Sequence, residues 1–349
     1  MKDVVLTGIK NTGIPHIGSY LGMYLPTIKI FNDKVKSGQC QLNAFIPDLH
    51  ALAATDDYEH LEQNTLRNLR AWVALGLDLA SEDLFIYRQS RIPAHSELFW
   101  ILSCFTTFGE ASRMVEFKDK SQQVGNDVTT VGLFGYPILM AADILLYNAK
   151  YIPVGDDQRQ HIELARTIAS RVNNRFLEKT PGGIFTVPET SKSTSEFADT
   201  SDSVRIRSLQ TPEKKMSKSV SDPRGTIDLY DTPEEAMKKI RTAETDSIGV
   251  VHWDWQNQPG VTNLLQIYEL LSGRSHEDVL EQWEGGERYG DLKNVCAEVV
   301  GAFLSEFQAN LEKVDDSALL AKLENSEAKM NLVANETLDR VQRAVGLRS

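Results

Sequence analysis

The segment Asp3-Val4-Val5-Leu6-Thr7-Gly8-Ile9-Lys10-Asn11-Thr12-Gly13-Ile14-Pro15-His16-Ile17-Gly18-Ser19 decides the fold class. Val4–Thr7 is a β-branched, apolar run that stops at Gly8, as a buried strand does at a turn. After a loop containing glycine and asparagine, apolar residues recur at helical spacing from Ile17 to Lys34. Pro26 lies inside that pattern and is expected to kink or interrupt the helix, because proline lacks the N–H the ladder needs. Reading outward, the same alternation continues. Strands are expected at Leu42–Pro47, Leu84–Tyr87, Tyr151–Val154 and Val204–Leu209. Helices are expected at Glu59–Leu75, His95–Phe105, Glu110–Ser121, Tyr136–Tyr147 and Gln158–Arg175. Such alternation predicts an α/β fold, a doubly wound, Rossmann-like parallel sheet whose ligands lie beyond the carboxyl ends of the strands.

Beyond about Pro233 the strand signals fade. Helical patterns replace them at Pro233–Thr242, Leu264–Leu271, Leu292–Leu311 and Ser317–Val345. The chain is 349 residues long, more than one typical core holds, so two domains are expected. They are an α/β domain at 1–224, with a helical connecting insertion at roughly 95–150, and a C-terminal helical domain at 225–349. Pro188–Ser203 is rich in serine and threonine and poor in aliphatics, and reads as a mobile insertion.

Composition narrows the function classes. With 41% hydrophobic and 25% charged residues the chain is ordinary globular material, not wholesale disorder. No apolar run reaches the roughly 18 residues of a membrane span, and the N-terminus is too short and acidic for a signal peptide. The three cysteines, Cys40, Cys104 and Cys296, are far apart with no CxxC pair. That excludes a disulfide framework and a four-cysteine zinc site, and fits a reducing, cytoplasmic setting. His50 and His161 have no metal-site spacing and read as structural histidines. The net charge of −12 argues against a general nucleic-acid coat, so any nucleic-acid partner must dock on local basic patches with strong salt dependence.

Four constellations carry chemistry. In the first, Lys10–Ser19 places glycines, small polar residues, a lysine and His16 at a strand-to-helix turn, where a helix N-terminus offers N–H groups and a positive dipole end to an anion. It matches neither GxxxxGK[ST] nor GxGxxG, and a glycine-punctuated turn accounts for it equally well. In the second, Lys214-Lys215-Met216-Ser217-Lys218-Ser219 alternates ammonium and hydroxyl groups, which suits a clamp on polyphosphate. In the third, Tyr136, Met140, Asp143 and Tyr147 fall on one helical stripe. A carboxylate there is nearly buried and needs a donor. An indole N–H is donor-only and a carboxylate acceptor-only, so the two match, while an internal arginine or a backbone group would serve as well. In the fourth, Val154-Gly155-Asp156-Asp157-Gln158 sits at a strand end, where an acid beside glycine suits ribose hydroxyls or a helix N-cap.

Together the motifs resemble a known family. His16-Ile17-Gly18-Ser19 is similar to the HIGH signature, and Lys215–Ser219 is a complete KMSKS signature, the two marks of class I aminoacyl-tRNA synthetases. Pro47–Leu52, Tyr136–Tyr147, Pro153–Gln158, Thr245–Ser247 and Pro259–Leu265 further resemble the tryptophanyl-tRNA synthetases. The resemblance covers nearly the whole chain except the serine- and threonine-rich segment.

It implies a tryptophan–tRNA ligase that uses ATP, with Mg²⁺ bound along with the nucleotide, and charges tRNA(Trp). His16, Lys215 and Lys218 are the implied catalytic residues. The implied ATP contacts are Lys10, Asn11, Thr12, Gly18 and Ser19, then Gly155, Asp156, Asp157 and Ile206 (through its backbone), and Lys215, Met216, Ser217, Lys218 and Ser219. Asp143 receives the indole nitrogen, and Leu6, Tyr136, Met140, Val154 and Gln158 complete the tryptophan pocket. The family is a cytoplasmic homodimer whose C-terminal helical region reads the anticodon. Lys10-Asn11 stands where many relatives have glutamine-proline, and His16 and Ser19 stand where relatives vary. A tyrosine-specific sister enzyme, a small-molecule nucleotidyltransferase and a non-catalytic paralogue are the alternatives. The Tyr136–Gln158 block, the helical third of the chain and the intact lysine loop speak against them in turn.

Overall fold

The computed structural model describes residues 2–8, 13–53, 58–114, 130–155, 158–198, 204–217 and 222–349. Lys10, Asn11, Thr12, Asp156, Asp157, Lys218 and Ser219 lie outside them, as does the expected helix beyond residue 114. Three parallel strands, β1 (Asp3–Gly8), β2 (Cys40–Ile46) and β3 (Leu84–Arg88), lie in the order β1-β2-β3. Val5 pairs with Leu42 and Leu42 with Leu84, and Phe45 opposite Tyr87 stacks its ring at 5.9 Å. On the far side of β1 the chain returns at Tyr151, which bridges Val5 in parallel and accepts the Leu6 N–H at 2.9 Å. Here the expected strand Tyr151–Val154 shrinks to one bridge, since Pro153 has no N–H to donate. Because β2 and β3 lie on one side of β1 and the Tyr151 segment on the other, the connection reverses at the carboxyl end of β1. That is the switch point where doubly wound sheets bind ligands.

Strand alternation divides the core between the two faces. Val5, Leu42, Ala44, Ile46, Leu84 and Ile86 point to one face and join Tyr24, Phe31 and Trp72 from the helical stretches 17–35 and Leu61–Ala74. Leu6, Phe45 and Tyr87 point to the other, against the helices Ala94–Ser103, Val131–Leu145 and Arg159–Arg175.

The stretch 17–35 is continuous despite Pro26. A wider helical turn at Tyr20–Tyr24 precedes the proline, and the Leu25 N–H reaches back to the Tyr20 carbonyl. The ring is absorbed without a break. Gly22 has a packing reason: a Cβ there would lie 2.9 Å from the Val204 carbonyl oxygen.

Two further expectations change. Val204–Leu209 is not a sheet strand; it makes one antiparallel bridge, Arg207 to Lys215. The Arg207 N–H and carbonyl go instead to the Asn263 amide, at 2.8 and 3.0 Å. Within the segment expected to be mobile, Ser191–Phe197 is a helix, capped by the Thr190 side chain. Phe197 stacks on Tyr151 at 3.9 Å with the planes 7° apart, and Thr194 and Ala198 are buried. The run was short of aliphatics, and one aromatic with a cap supplied the anchor.

The helical half packs Pro233–Arg241, Pro259–Ser272 and Tyr289–Leu311 around an apolar core that it shares with Ile17, Leu21, Ala71 and Met216. The short helix His276–Trp283, capped by Ser275, was not foreseen. The last helix, Asp316–Val345, returns to the sheet: Leu319 and Leu323 enter one face, and Met330, Ala334, Leu338 and Val341 the other. No helix among the described residues is long and apolar enough to cross a membrane.

Candidate functional site

The helix Val131–Leu145 starts where the Thr130 hydroxyl accepts the Leu133 N–H, and it is apolar almost throughout because it is covered on most sides. Its one acid, Asp143, is 1% exposed. Three side chains donate to it. On Oδ1 these are Gln89 Nε2 at 2.7 Å and His95 Nδ1 at 2.6 Å; on Oδ2 it is His50 Nε2 at 2.8 Å. The stripe inferred from sequence is present. Tyr136 meets His50 edge-on at 4.3 Å, and the Tyr147 hydroxyl lies 2.8 Å from His95 Nε2.

The donors come from the carboxyl ends of β2 and β3. His50 sits on the single turn Asp48–Ala51 after Pro47, and Gln89 directly follows β3. The two turns are fastened together. Asp48 accepts from the Ser90 N–H at 2.8 Å and from its hydroxyl, and the Gln89 carbonyl oxygen takes the Leu49 N–H at 3.2 Å. Gln89 therefore spends both ends of its amide, one fixing the turns and the other fixing Asp143.

Burial by itself would raise the Asp143 carboxyl, but the hydrogen bonds from His50 and His95 outweigh it and hold the group below the ordinary carboxylate value. Burial pushes the Tyr147 phenol well above its usual range, so its hydroxyl keeps its proton. An ionised Asp143 can only accept, so His95 Nδ1–H and His50 Nε2–H donate to it, and the Tyr147 hydroxyl faces the other ring nitrogen of His95. The desolvation argument for an outside donor thus lapses, since the protein already satisfies the acid. A carboxylate has roughly four acceptor positions; with two donors on Oδ1 and one on Oδ2, one position on Oδ2 remains. His50 Nδ1 is buried without a hydrogen-bond partner among the described residues.

The second group of residues meets at the carboxyl end of β1. His16 caps the helix that follows: its Nδ1 accepts the Ser19 N–H at 3.2 Å, while Ser19 Oγ accepts the His16 N–H at 3.0 Å. The Ser19 hydroxyl also donates to the His16 carbonyl at 2.6 Å, so it is engaged in the cap. The lysine loop lies against this turn. A Cβ on Gly18 would sit 3.3 Å from Met216 Cβ, and Ile17 N–H donates to the Ile227 carbonyl at 2.8 Å, just beyond the loop. Met216 is buried and donates its N–H to the Ile206 carbonyl at 3.0 Å, whereas Lys214 and Lys215 are exposed. The buried methionine pins the loop while the adjacent ammonium stays in solvent.

Leu6, Met140 and Val154 belong to the same apolar cluster beside Asp143. Gln158 heads the helix Arg159–Arg175, donates its N–H to the Gly155 carbonyl at 2.9 Å, and lies 2.7 Å through Oε1 from His161 Nδ1. Gln89 and His95 were not singled out from the sequence, and His50 was read as structural only. The available signal was position: Gln89 directly follows β3, His50 lies four residues beyond β2 and His95 seven residues beyond β3. Among the described residues no group of three or more His, Cys, Asp or Glu is placed to hold a metal ion.

Residues 2–305 match the family model described as tRNA synthetases class I (W and Y). A tryptophan–tRNA ligase of Caldanaerobacter subterraneus is 41% identical, with 98% of each chain covered. The crystal structure of tryptophanyl-tRNA synthetase from Mycoplasma pneumoniae is 32% identical with a TM-score of 0.83, covering 100% of this chain and 99% of that one. The enzyme from Campylobacter jejuni, crystallised with ADP and tryptophan, is 31% identical with a TM-score of 0.74, covering 98% and 99%.

Proposed function

The chain belongs to the class I tRNA synthetases of the tryptophan and tyrosine group, and from that premise we propose how its residues divide the work of charging tRNA(Trp). It is an aminoacyl-tRNA synthetase, a tryptophan–tRNA ligase, which uses ATP. The tyrosine-specific alternative shares the family model but not the near-full-length likeness to tryptophan enzymes, and that likeness carries the assignment.

In the first step the tryptophan carboxylate attacks the α-phosphorus of ATP, and the bond to the bridging oxygen breaks to release pyrophosphate. In the second a terminal ribose hydroxyl of tRNA(Trp) attacks the activated carbonyl and AMP leaves. Both need positioning and charge neutralisation more than covalent help from the protein. His16 and the Lys10–Thr12 loop bind phosphate, and Gly18 and Ser19 abut the nucleoside. Gly155, Asp156 and Asp157 take the ribose, the Ile206 backbone meets adenine, and Lys215 through Ser219 close on the leaving pyrophosphate. What supports this is that the capped helix start, Gly18 and the lysine loop meet at one turn. Ser19 then acts through the cap as well as by contact.

Tryptophan lies over Leu6, Tyr136, Met140 and Val154 with Gln158 at its polar end, and its indole N–H takes the remaining acceptor of Asp143. Mg²⁺ enters with the nucleotide and shares the charge of its phosphates. Residues 1–224 form the catalytic domain and 225–349 the anticodon-reading region. Leu52, Trp100, Phe108 and Val131 are 50–85% exposed, and the Phe108–Phe134 stack and the approach of Gly132 to Ala53 draw them toward one patch. That patch suits a second copy in a homodimer. A cytoplasmic site suits its three free cysteines.

The test is pyrophosphate exchange with each of the twenty amino acids, with and without tRNA. Tryptophan-dependent exchange is expected; exchange driven by tyrosine would overturn the assignment.

A further inference from the structure

The last helix, Asp316–Val345, holds the segment 88–97 at three points along its length. Glu327 accepts from Arg88 three times: from Nε at 2.6 Å, from Nη2 at 2.9 Å and from the backbone N–H at 3.1 Å. One turn on, Asn331 Nδ2 donates to the Arg91 carbonyl at 3.0 Å. Farther along, Gln342 Nε2 donates to the Glu97 carboxylate. Between these points Met330, Ala334 and Leu338 share a core with Leu98, Ile101 and Leu102.

The gripped segment carries two of the three donors to Asp143, Gln89 and His95. Gln89 is the very next residue after Arg88, whose side chain and backbone are both fixed by one carboxylate. Glu327 is 8% exposed, the one buried acid on its helix, and it is compensated by a bidentate guanidinium plus a backbone donor. An ion pair that served only to hold the helix down would not need the main-chain contact. That contact fixes the strand end from which Gln89 departs.

The geometry points to Glu327 as a positioning residue for amino-acid recognition, acting through the Arg88 backbone and Gln89 to set the orientation of the Asp143 carboxylate. This rests on the reading of Asp143 as the ring acceptor given above. No contact between Glu327 and substrate is involved. Removing its carboxylate loosens the end of β3 beside Gln89, one of the three donors that orient Asp143, and shifts the remaining Asp143 acceptor relative to the ring.

The test measures KM for the activated amino acid, KM for ATP and kcat by pyrophosphate exchange in the full-length protein without tRNA, alongside thermal unfolding. Glu327→Ala is expected to raise the amino-acid KM roughly three- to thirtyfold, the range of energetic coupling along packed networks. The ATP KM and kcat should move much less. Glu327→Gln keeps an oxygen for the Arg88 N–H and is expected to recover most of the loss. Leu323→Ala, one turn earlier and buried away from segment 88–97, is the stability control; it should lower the unfolding temperature with no rise in KM. If Leu323→Ala and Glu327→Ala raise KM alike, or if Glu327→Ala lowers only the unfolding temperature, Glu327 is a structural clamp and the inference is overturned. Should the parent activate tyrosine instead, the substrate assignment fails, while the KM comparison, read on tyrosine, still decides the role of Glu327.

Discussion

Asp143 shows how far one residue can be read from its neighbours in sequence. Its stripe with Tyr136, Met140 and Tyr147 was legible from helical spacing, but its partners come from residues 50, 89 and 95, which no local pattern joins to it. Asp143→Ala therefore has two effects. It strands three buried donors, which should cost about 3–5 kcal/mol of stability, as breaking a buried charged network does, and lower the unfolding temperature. It should also abolish preference for tryptophan over an analogue with no ring N–H, since the proposed indole hydrogen bond to a charged acceptor is worth about 1.5–3 kcal/mol. Instability penalises both substrates equally, so the ratio isolates the contact; equal loss for both would make Asp143 structural. The sign of its pH dependence follows from the lowered carboxyl. The stabilisation is fully present above the unfolded value of about 3.9 and is lost only as pH falls through the lower folded value. Protonation of Asp143 thus explains no loss of activity near neutrality. Lys215 belongs to the same scale but to the other half of the chemistry. Exposed beside buried Met216, it should act on charge that develops as pyrophosphate leaves, so Lys215→Ala should lower kcat more than it raises the tryptophan KM. A change confined to that KM would remove the transition-state role.

At the scale of elements, β1, β2 and β3 were readable because both their faces are buried, and continuous apolar runs admit few other outcomes. Val204–Leu209 has similar residues but no sheet, since Asn263, 56 positions away, supplies the hydrogen bonds a neighbouring strand would have given. Competition of that kind is tertiary and leaves no mark on the segment itself. The helix Ser191–Phe197 is the opposite case, a sequence that looks irregular and folds because a partner waits for it. Glu189 donates its N–H to the Lys150 carbonyl at 2.8 Å and Phe197 covers Tyr151, so the element braces the chain just before Val154 and Gly155. Phe197→Ala should cost about 1–2 kcal/mol from lost area and stacking, seen as a fall of a few degrees in the unfolding temperature. Replacing 191–198 by a glycine–serine linker should cost more. Unchanged unfolding in both variants would show that the helix only rests on the surface.

On the scale of the whole molecule, the chain departs most from a picture of two independent bodies. The helices between residues 233 and 311 pack on a core that also takes in Ile17, Leu21, Ala71 and Met216 from the sheet half, and the last helix completes both faces of the sheet. Its start is tied down as well, Asp316 to Arg70 and the preceding Leu311 carbonyl to the same guanidinium at 3.3 Å. The core shared between the halves and the last helix on the sheet together couple the loss of one part to the other, so unfolding should be a single cooperative transition. Ending the chain after residue 315 tests this. The truncation strips Leu319 and Leu323 from one face of the sheet and Met330, Ala334, Leu338, Val341 and Ala344 from the other. It also leaves Arg88 half-buried without its acid. At about 2–5 kcal/mol for each large aliphatic lost from a core, the deficit is comparable to or larger than the roughly 5–15 kcal/mol that holds an ordinary domain together. The expected product is an aggregated or partly folded 1–315 fragment with no pyrophosphate exchange, even though every residue proposed to touch ATP or tryptophan is retained. A well-folded, active fragment would show instead that the sheet domain is self-sufficient and that the final helix belongs to the helical half alone.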